Sequence, residues 1–397
     1  MSFSSYFFEF LAKTYSSTLV TVTVNNALLQ SQWKECHSYS KLAPFIHDEV
    51  QARQHLNCEI AMQLALSKSS TSTTSTTTST ASTNRIPAER IDWLLHIDSD
   101  ELFHTTELNV MSHFQTLWKD DVYQMTYLNH EGIPEENNTI HTEEEDDGID
   151  YYKNTTLFRR HHLDVPLNSA SRKCMQYWEE RTQHGQYMLC YDNGKSVCRV
   201  IPEAYPASVH KWNLPENKSI KTALIDPRSL NLKNIRQCSD PCILHYVCCG
   251  LPWLKSKYEM LGNFQDAWFG GRLPIAPSFH LDARDAVLRG DVDSIWNSQV
   301  VFKDVEALKE HVEAGVLLRL YRPREILLGR KEPIRTEKKV AVPKKKNSGE
   351  TTNGETKDNP EKTKKEKEKE KEKEKEKKNE FTYSKAWMMS QAVQNFL

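Results

Sequence analysis

The sequence has no run of 18 apolar residues, so no segment of it reads as a transmembrane helix. Nor does its start place a basic region ahead of an apolar core, the pattern of a signal peptide. No second Cys-x2-Cys or His pair at finger spacing accompanies Cys238, Cys242, Cys248 and Cys249. That ranks a disulfide or ordinary buried thiols ahead of structural zinc for these cysteines. Apolar residues make up only 38% of the chain, and the shortfall is concentrated in two places. Residues 67–83 are almost all Ser and Thr and cannot bury apolar surface. Residues 331–378 are dominated by a Lys-Glu repeat and hold 18 Lys and Arg against 12 Asp and Glu. That surplus of six leaves the remainder at −8 within an overall charge of −2. An acidic globular part argues against a nucleic-acid-binding face, while leaving a metal-bridged phosphate ligand open.

What is present reads as one α/β domain interrupted and extended by polar segments. Residues 1–66 form its N-terminal part, 67–85 a flexible Ser/Thr insertion, and 86–330 its remainder. A charged tail over 331–380 and a short apolar segment over 381–397 follow. The tail's alternation puts like charges four residues apart, so it reads as a solvated spacer rather than a binding helix. Within the domain, the patterning predicts a helix over 6–11, a strand over 19–24, a helix over 49–66 and a strand over 93–97. Strand, helix and strand in that order imply a right-handed crossover and a parallel sheet. Further on, a helix over 107–118 and a strand over 122–128 lead into the polar turn 129–135. An acidic solvated loop over 142–150 follows, then a hairpin over 187–200 turning at Asp192-Asn193-Gly194. Strands are expected over 208–212 and 243–248, and helices over 254–261, 281–288 and 305–320.

The most informative stretch is 92–103. Its apolar run Trp93 to Ile97 ends abruptly at Asp98-Ser99-Asp100. A covered strand has nowhere to hide an unpaired carboxylate, so the two acids belong at its C-terminal lip, where open α/β sheets bind ligands. Two carboxylates separated by one small residue can share a hard divalent cation, and that cation can neutralise a diphosphate. The same triplet also occurs as a plain solvated turn. His245, taken by itself, reads equally as a satisfied histidine within a strand.

Taken together, 92–103, the turn 129–135, 191–199, 208–212, Leu244-His245-Tyr246 and Lys255-Ser256-Lys257-Tyr258 resemble GT-A type glycosyltransferases, close to family-2-like and family-92-like enzymes. The resemblance covers roughly residues 7–287 without the insertion. It implies a Rossmann-like mixed, mainly parallel sheet flanked by helices. Almost nothing precedes the expected first helix, so the domain would lack the strand with which the fold normally opens. The resemblance also implies Mn2+ or Mg2+ on the diphosphate of a UDP- or GDP-sugar, with Asp98, Asp100 and His245 as metal ligands. Asp98, Ser99, Asp100, Lys195 and Arg199 would bind the donor, and His130, His210, Lys211 and Trp212 would line the site or meet a glycan acceptor. Glu131 is the first candidate for the base and Glu135 the second, with Glu136 equally available. A Golgi or secretory setting would follow, as would inversion at the anomeric carbon. Two rivals are a haloacid-dehalogenase-like phosphotransferase with a nucleophilic Asp98 and a catalytically silent interaction protein.

Overall fold

The computed structural model describes residues 25–70, 91–106, 110–135, 150–215, 221–223 and 240–327. The helix expected over 6–11, the strand over 19–24, the acidic loop up to 149, Glu136 and the tail lie outside them, as does the tract beyond Ser70.

Two mixed sheets organise these residues. The first runs in the order β1 (Trp93–Leu95), β6 (Lys195–Arg199), β3 (Val122–Tyr127), β9 (Lys221–Ala223). The second runs β13 (Leu317–Arg319), β5 (Leu157–Arg159), β4 (Asn129–Gly132), β10 (Cys242–His245), β2 (Glu101–His104). Two hairpins stand apart: β7 (Tyr205–Ser208) with β8 (Lys211–Asn213), and β11 (Ala267–Trp268) with β12 (Leu273–Pro274). The chain passes from the first sheet to the second three times, from β1 to β2, from β3 to β4 and from β9 to β10. Asp98-Ser99-Asp100 is the corner of the first passage.

The mainly parallel sheet expected from the sequence is not what forms. Within the two sheets, β1–β6, β6–β3, β13–β5, β5–β4 and β10–β2 are antiparallel, and only β3–β9 and β10–β4 are parallel. The physical reason is plain. Periodicity marks a strand but carries no sign of its direction, and β1 pairs antiparallel with β6, about a hundred residues downstream. β1 is also half-buried along its whole length rather than covered on both faces.

Three other expectations change for local reasons. The helix expected over 305–320 stops at Glu313, because Gly315 at φ +73° turns the chain and β13 follows. No strand precedes β6 to make a hairpin at Asp192-Asn193-Gly194. Gly194, at φ +63°, instead lets the backbone approach Tyr127 so closely that a Cβ would sit 2.2 Å from its carbonyl oxygen. The expected strand 208–212 is the turn and second arm of the β7–β8 hairpin.

The helices cover these sheets with part of the apolar faces their spacing predicts, Leu64 and Met111 staying exposed. Helix α1 (Val50–Ser70) sets Cys58, Met62 and Leu66 against Cys198, Ala204 and Trp212. Helix α2 (Val110–Lys119) buries Leu117 and lays Phe114 beside Trp93 and Phe103. Helix α3 (Ser169–Arg181) starts in a capping box at Asn168 and Ser171 and buries Trp178 against Phe302. Helices α4 (Leu251–Leu261) and α5 (Phe279–Arg289) share the core of Leu254, Tyr258, Phe279, Ala283 and Trp296. Each fully buried large side chain of this kind contributes about 1.5–3 kcal/mol. The eight described cysteines are all free thiols, seven of them buried.

Candidate functional site

The corner at 98–100 is fixed by its backbone before any side chain acts. Tyr152 Oη donates to the Ser99 carbonyl (2.5 Å), and the Tyr246 N–H donates to the Asp100 carbonyl (2.8 Å). The Asp98 N–H donates to Glu101 Oε2 (2.8 Å). Ser99 is exposed at the tip, and its two neighbours meet different cations.

Asp98 accepts from Gln54 Nε2 of α1 at 2.6 Å and from Lys195 Nζ at 2.7 Å. Lys195 lies at the start of β6 with a fully buried side chain, and it also meets Glu101 Oε2 at 3.4 Å. Glu101 accepts in addition from Tyr191 Oη, whose ring lies under the Lys195 ammonium at 5.5 Å. Burial pushes the Asp98 carboxyl up, but the Lys195 charge more than reverses this and holds it well below the usual range. Burial likewise opposes the charge on Lys195, and Asp98 and Glu101 restore it, leaving its affinity for the proton raised.

Asp100, buried, accepts from Lys257 Nζ of α4 at 2.6 Å, and His245 Nε2 at the end of β10 stands 3.8 Å from the same oxygen. Against the effect of burial, Lys257 and His245 hold the Asp100 carboxyl low, and Asp100 in turn raises Lys257 against its own burial. His245 Nδ1 is buried and has no hydrogen-bond partner among the described residues. Three carboxylates, two lysines and an imidazole thus meet at the corner.

The register of the second sheet explains how these groups converge. Glu101, His245, Glu131 and Arg159 occupy one row across β2, β10, β4 and β5, and in-register residues of neighbouring strands share a face. The row holds two separate clusters. Glu101 and His245 turn to the 98–100 corner, whereas Glu131 turns to Arg159.

Of the residues singled out in the sequence, Asp98, Ser99, Asp100, Lys195 and His245 come together here. His210 lies beside them, its ring 4.7 Å from Tyr191 and its Nδ1 on the Gly194 carbonyl at 2.9 Å. Lys211 begins β8. Trp212 is a core residue whose indole N–H donates to the Ser196 carbonyl. Arg199, expected near the donor, is about 13 Å from Lys195 along β6. Its guanidinium is packed over Trp118 (4.2 Å) and Tyr123 (4.4 Å) and closes the end of α2 by donating to the Leu117 and Trp118 carbonyls. His130 is buried and accepts from the His161 N–H.

The two expected bases, Glu131 and Glu135, are both engaged in ion pairs. Glu131 is ion-paired with Arg159 and also accepts from the N–H groups of Leu189 and Cys190, each at 2.9 Å. Glu135 holds Arg319 through both carboxylate oxygens. Both carboxylates are thus occupied by guanidinium partners. The turn 129–135 that carries them is itself largely the buried strand β4. Sequence reasoning assigned no role to Glu101, Tyr191, Gln54 or Lys257. Glu101 and Lys257 sit inside phrases it had marked, but nothing in a spacing of 157 residues links Lys257 to Asp100.

Asp100 and His245 form a carboxylate–imidazole pair of the kind that suits Mn2+. No group of three His, Cys, Asp or Glu placed to hold a metal ion occurs among the described residues. A cation on this pair would therefore take its remaining ligands from phosphate oxygens and water, as Mg2+ and Mn2+ commonly do.

The buried imidazoles make the fold acid-sensitive. Burial pushes His130, His161, His210 and His280 down to about 3 and His162 to about 4. Unfolded, each would titrate near about 6.5. Between those values the unfolded chain binds more protons, so stability is full above about pH 6.5 and falls as pH drops. Each histidine adds up to about 1.4 kcal/mol per pH unit. Urea midpoints are expected to be clearly lower at pH 5 than at pH 7, and equal midpoints would contradict these burials.

No protein-family model matches the chain, and no solved structure matches it. Over 247 residues it is 24% identical to a glycosyltransferase-like protein of Arabidopsis thaliana. That match covers 60% of this chain and 48% of the Arabidopsis protein, so the chain spans about half the length of the curated relative it matches. The chain is a distant, partial relative of a glycosyltransferase-like protein.

Proposed function

We propose that the protein is a glycosyltransferase that moves a sugar from a UDP- or GDP-sugar to an acceptor hydroxyl of a glycan, with inversion. The observation that supports this best is the meeting of Asp100, His245 and Lys257 at the corner between two sheets, in a chain with a glycosyltransferase-like relative. Asp100 and His245 would hold Mn2+ or Mg2+. When bound, that ion supplies Lewis-acid charge to the departing diphosphate.

The chain's own residues do the rest. Lys195 and Gln54 fix Asp98, and through it the corner, so that Asp100 is presented without rearrangement. The Tyr191 ring lies 4.9 Å from His245 and 4.7 Å from His210, forming an aromatic wall that limits water at the donor. Asp98, held by two donors, is not the free nucleophile an aspartyl-phosphate mechanism uses. No described helix is long and apolar enough to cross a membrane. A Golgi or secretory setting belongs to this proposal through the resemblance alone.

Isothermal titration with UDP and GDP, with and without Mn2+, tests the reading, followed by a hydrolysis screen of UDP- and GDP-sugars. Metal-dependent binding of one nucleotide and hydrolysis of its sugar conjugate are expected. No heat from either nucleotide with Mn2+ present would overturn it.

A further inference from the structure

We infer that Lys257 is an exchangeable cation. Without ligand its ammonium occupies the position on Asp100 that a divalent ion would take. When the ion arrives with a nucleoside diphosphate, Lys257 leaves Asp100 for a phosphate oxygen. The inference rests on the proposed donor site.

The two lysines of the corner make the case by contrast. Lys195 is wholly buried and shared between Asp98 at 2.7 Å and Glu101 at 3.4 Å. It can reach no ligand without breaking two ion pairs, so it is a fixed part of the frame. Lys257 has one carboxylate partner, at 2.6 Å, and its side chain is 22% exposed while Asp100 is 6% exposed. It stands on α4, whose neighbouring Leu254 and Tyr258 anchor the helix in the core, so only the flexible four-carbon stem need move. Its target oxygen, Asp100 Oδ2, is also the one that His245 Nε2 faces at 3.8 Å. An ammonium and a divalent ion cannot share that oxygen without strong like-charge repulsion.

A divalent ion arriving alone must therefore expel Lys257 from its ion pair with Asp100, and no second anion is paired with it among the described residues. A diphosphate supplies that anion, and the vacated carboxylate supplies a ligand for the metal. Cation and diphosphate then favour each other's binding, and by linkage the effect is reciprocal.

Lys257→Met keeps the stem and removes the charge. Titrated with Mn2+ alone, the variant is expected to bind on the order of tenfold tighter than the unsubstituted protein, and with Mn2+ present to bind UDP on the order of tenfold weaker. The gain in UDP affinity that Mn2+ confers should shrink accordingly. Lys257→Gln, checked for folding by thermal melting, should behave alike, and Lys195→Met should show no gain in Mn2+ affinity. If the unsubstituted protein binds UDP with Mn2+ and Lys257→Met leaves both affinities unchanged, or weakens Mn2+ binding alone, the exchange is wrong and the donor site stands. If none of the proteins binds Mn2+ or UDP under any condition, the donor site falls and the exchange with it.

Discussion

Glu131→Ala is expected to cost the fold about 3–5 kcal/mol, a large share of the roughly 5–15 kcal/mol that holds a domain of ordinary stability. The loss comes from what the substitution leaves behind. The fully buried Arg159, packed under Trp178 at 4.7 Å and Tyr187 at 5.5 Å, would keep its charge and lose its counter-ion. The N–H groups of Leu189 and Cys190 would lose their acceptor as well. Glu131→Gln should be nearly as harmful, because an amide turns N–H groups toward a donor it must receive from. The double substitution Glu131→Met with Arg159→Met should lose less than the sum of the single changes, since no buried charge is stranded. Urea unfolding followed by circular dichroism measures these three variants and the two single Met substitutions. An unchanged midpoint in Glu131→Ala, with activity lost, would return this residue to the role of a base.

The same residue shows why part of the site could not be read from the sequence. Asn129-His130-Glu131-Gly132 is polar enough to look like a loop, yet it is a buried strand. Each of its polar side chains has its own distant partner: Asn129 the Tyr191 carbonyl, His130 the His161 N–H, Glu131 the Arg159 side chain. Polarity predicts exposure only when such partners are missing, and they lie some 30 to 60 residues away. Where the signal is local, the reading holds. The helices around 50–66, 107–118, 254–261 and 281–288 form close to their expected places, because a 3.6-residue period is written in consecutive residues. The placing of Asp98 and Asp100 at a strand end follows from the cost of burying charge in a short apolar run. Strand direction, and the choice of Lys195 over Arg199 as the cation beside Asp98, depend on pairings between distant segments. Arg199 has the same charge four residues on, but Trp118 and Tyr123 hold it at the far end of β6.

Asp100→Ala should abolish metal-dependent nucleotide binding while leaving most of the fold in place. The reading places this carboxylate where three demands meet: it neutralises Lys257, faces His245 Nε2, and is the one acid of the corner not already shared with Lys195. Changes to groups that merely orient a metal ligand cost about 10–100-fold, so removing a ligand itself should cost at least about 100-fold in UDP affinity with Mn2+ present. Asp98→Ala should act differently. It frees Gln54 and leaves Lys195 to Glu101, loosening the corner, so its larger effect should appear in the melting temperature. Calorimetric titration of UDP with Mn2+ on both variants, beside their thermal melts, separates the two roles. Binding undiminished in Asp100→Ala would mean that the diphosphate is gripped elsewhere. The ion pairs at this corner would then serve only to hold two sheets together.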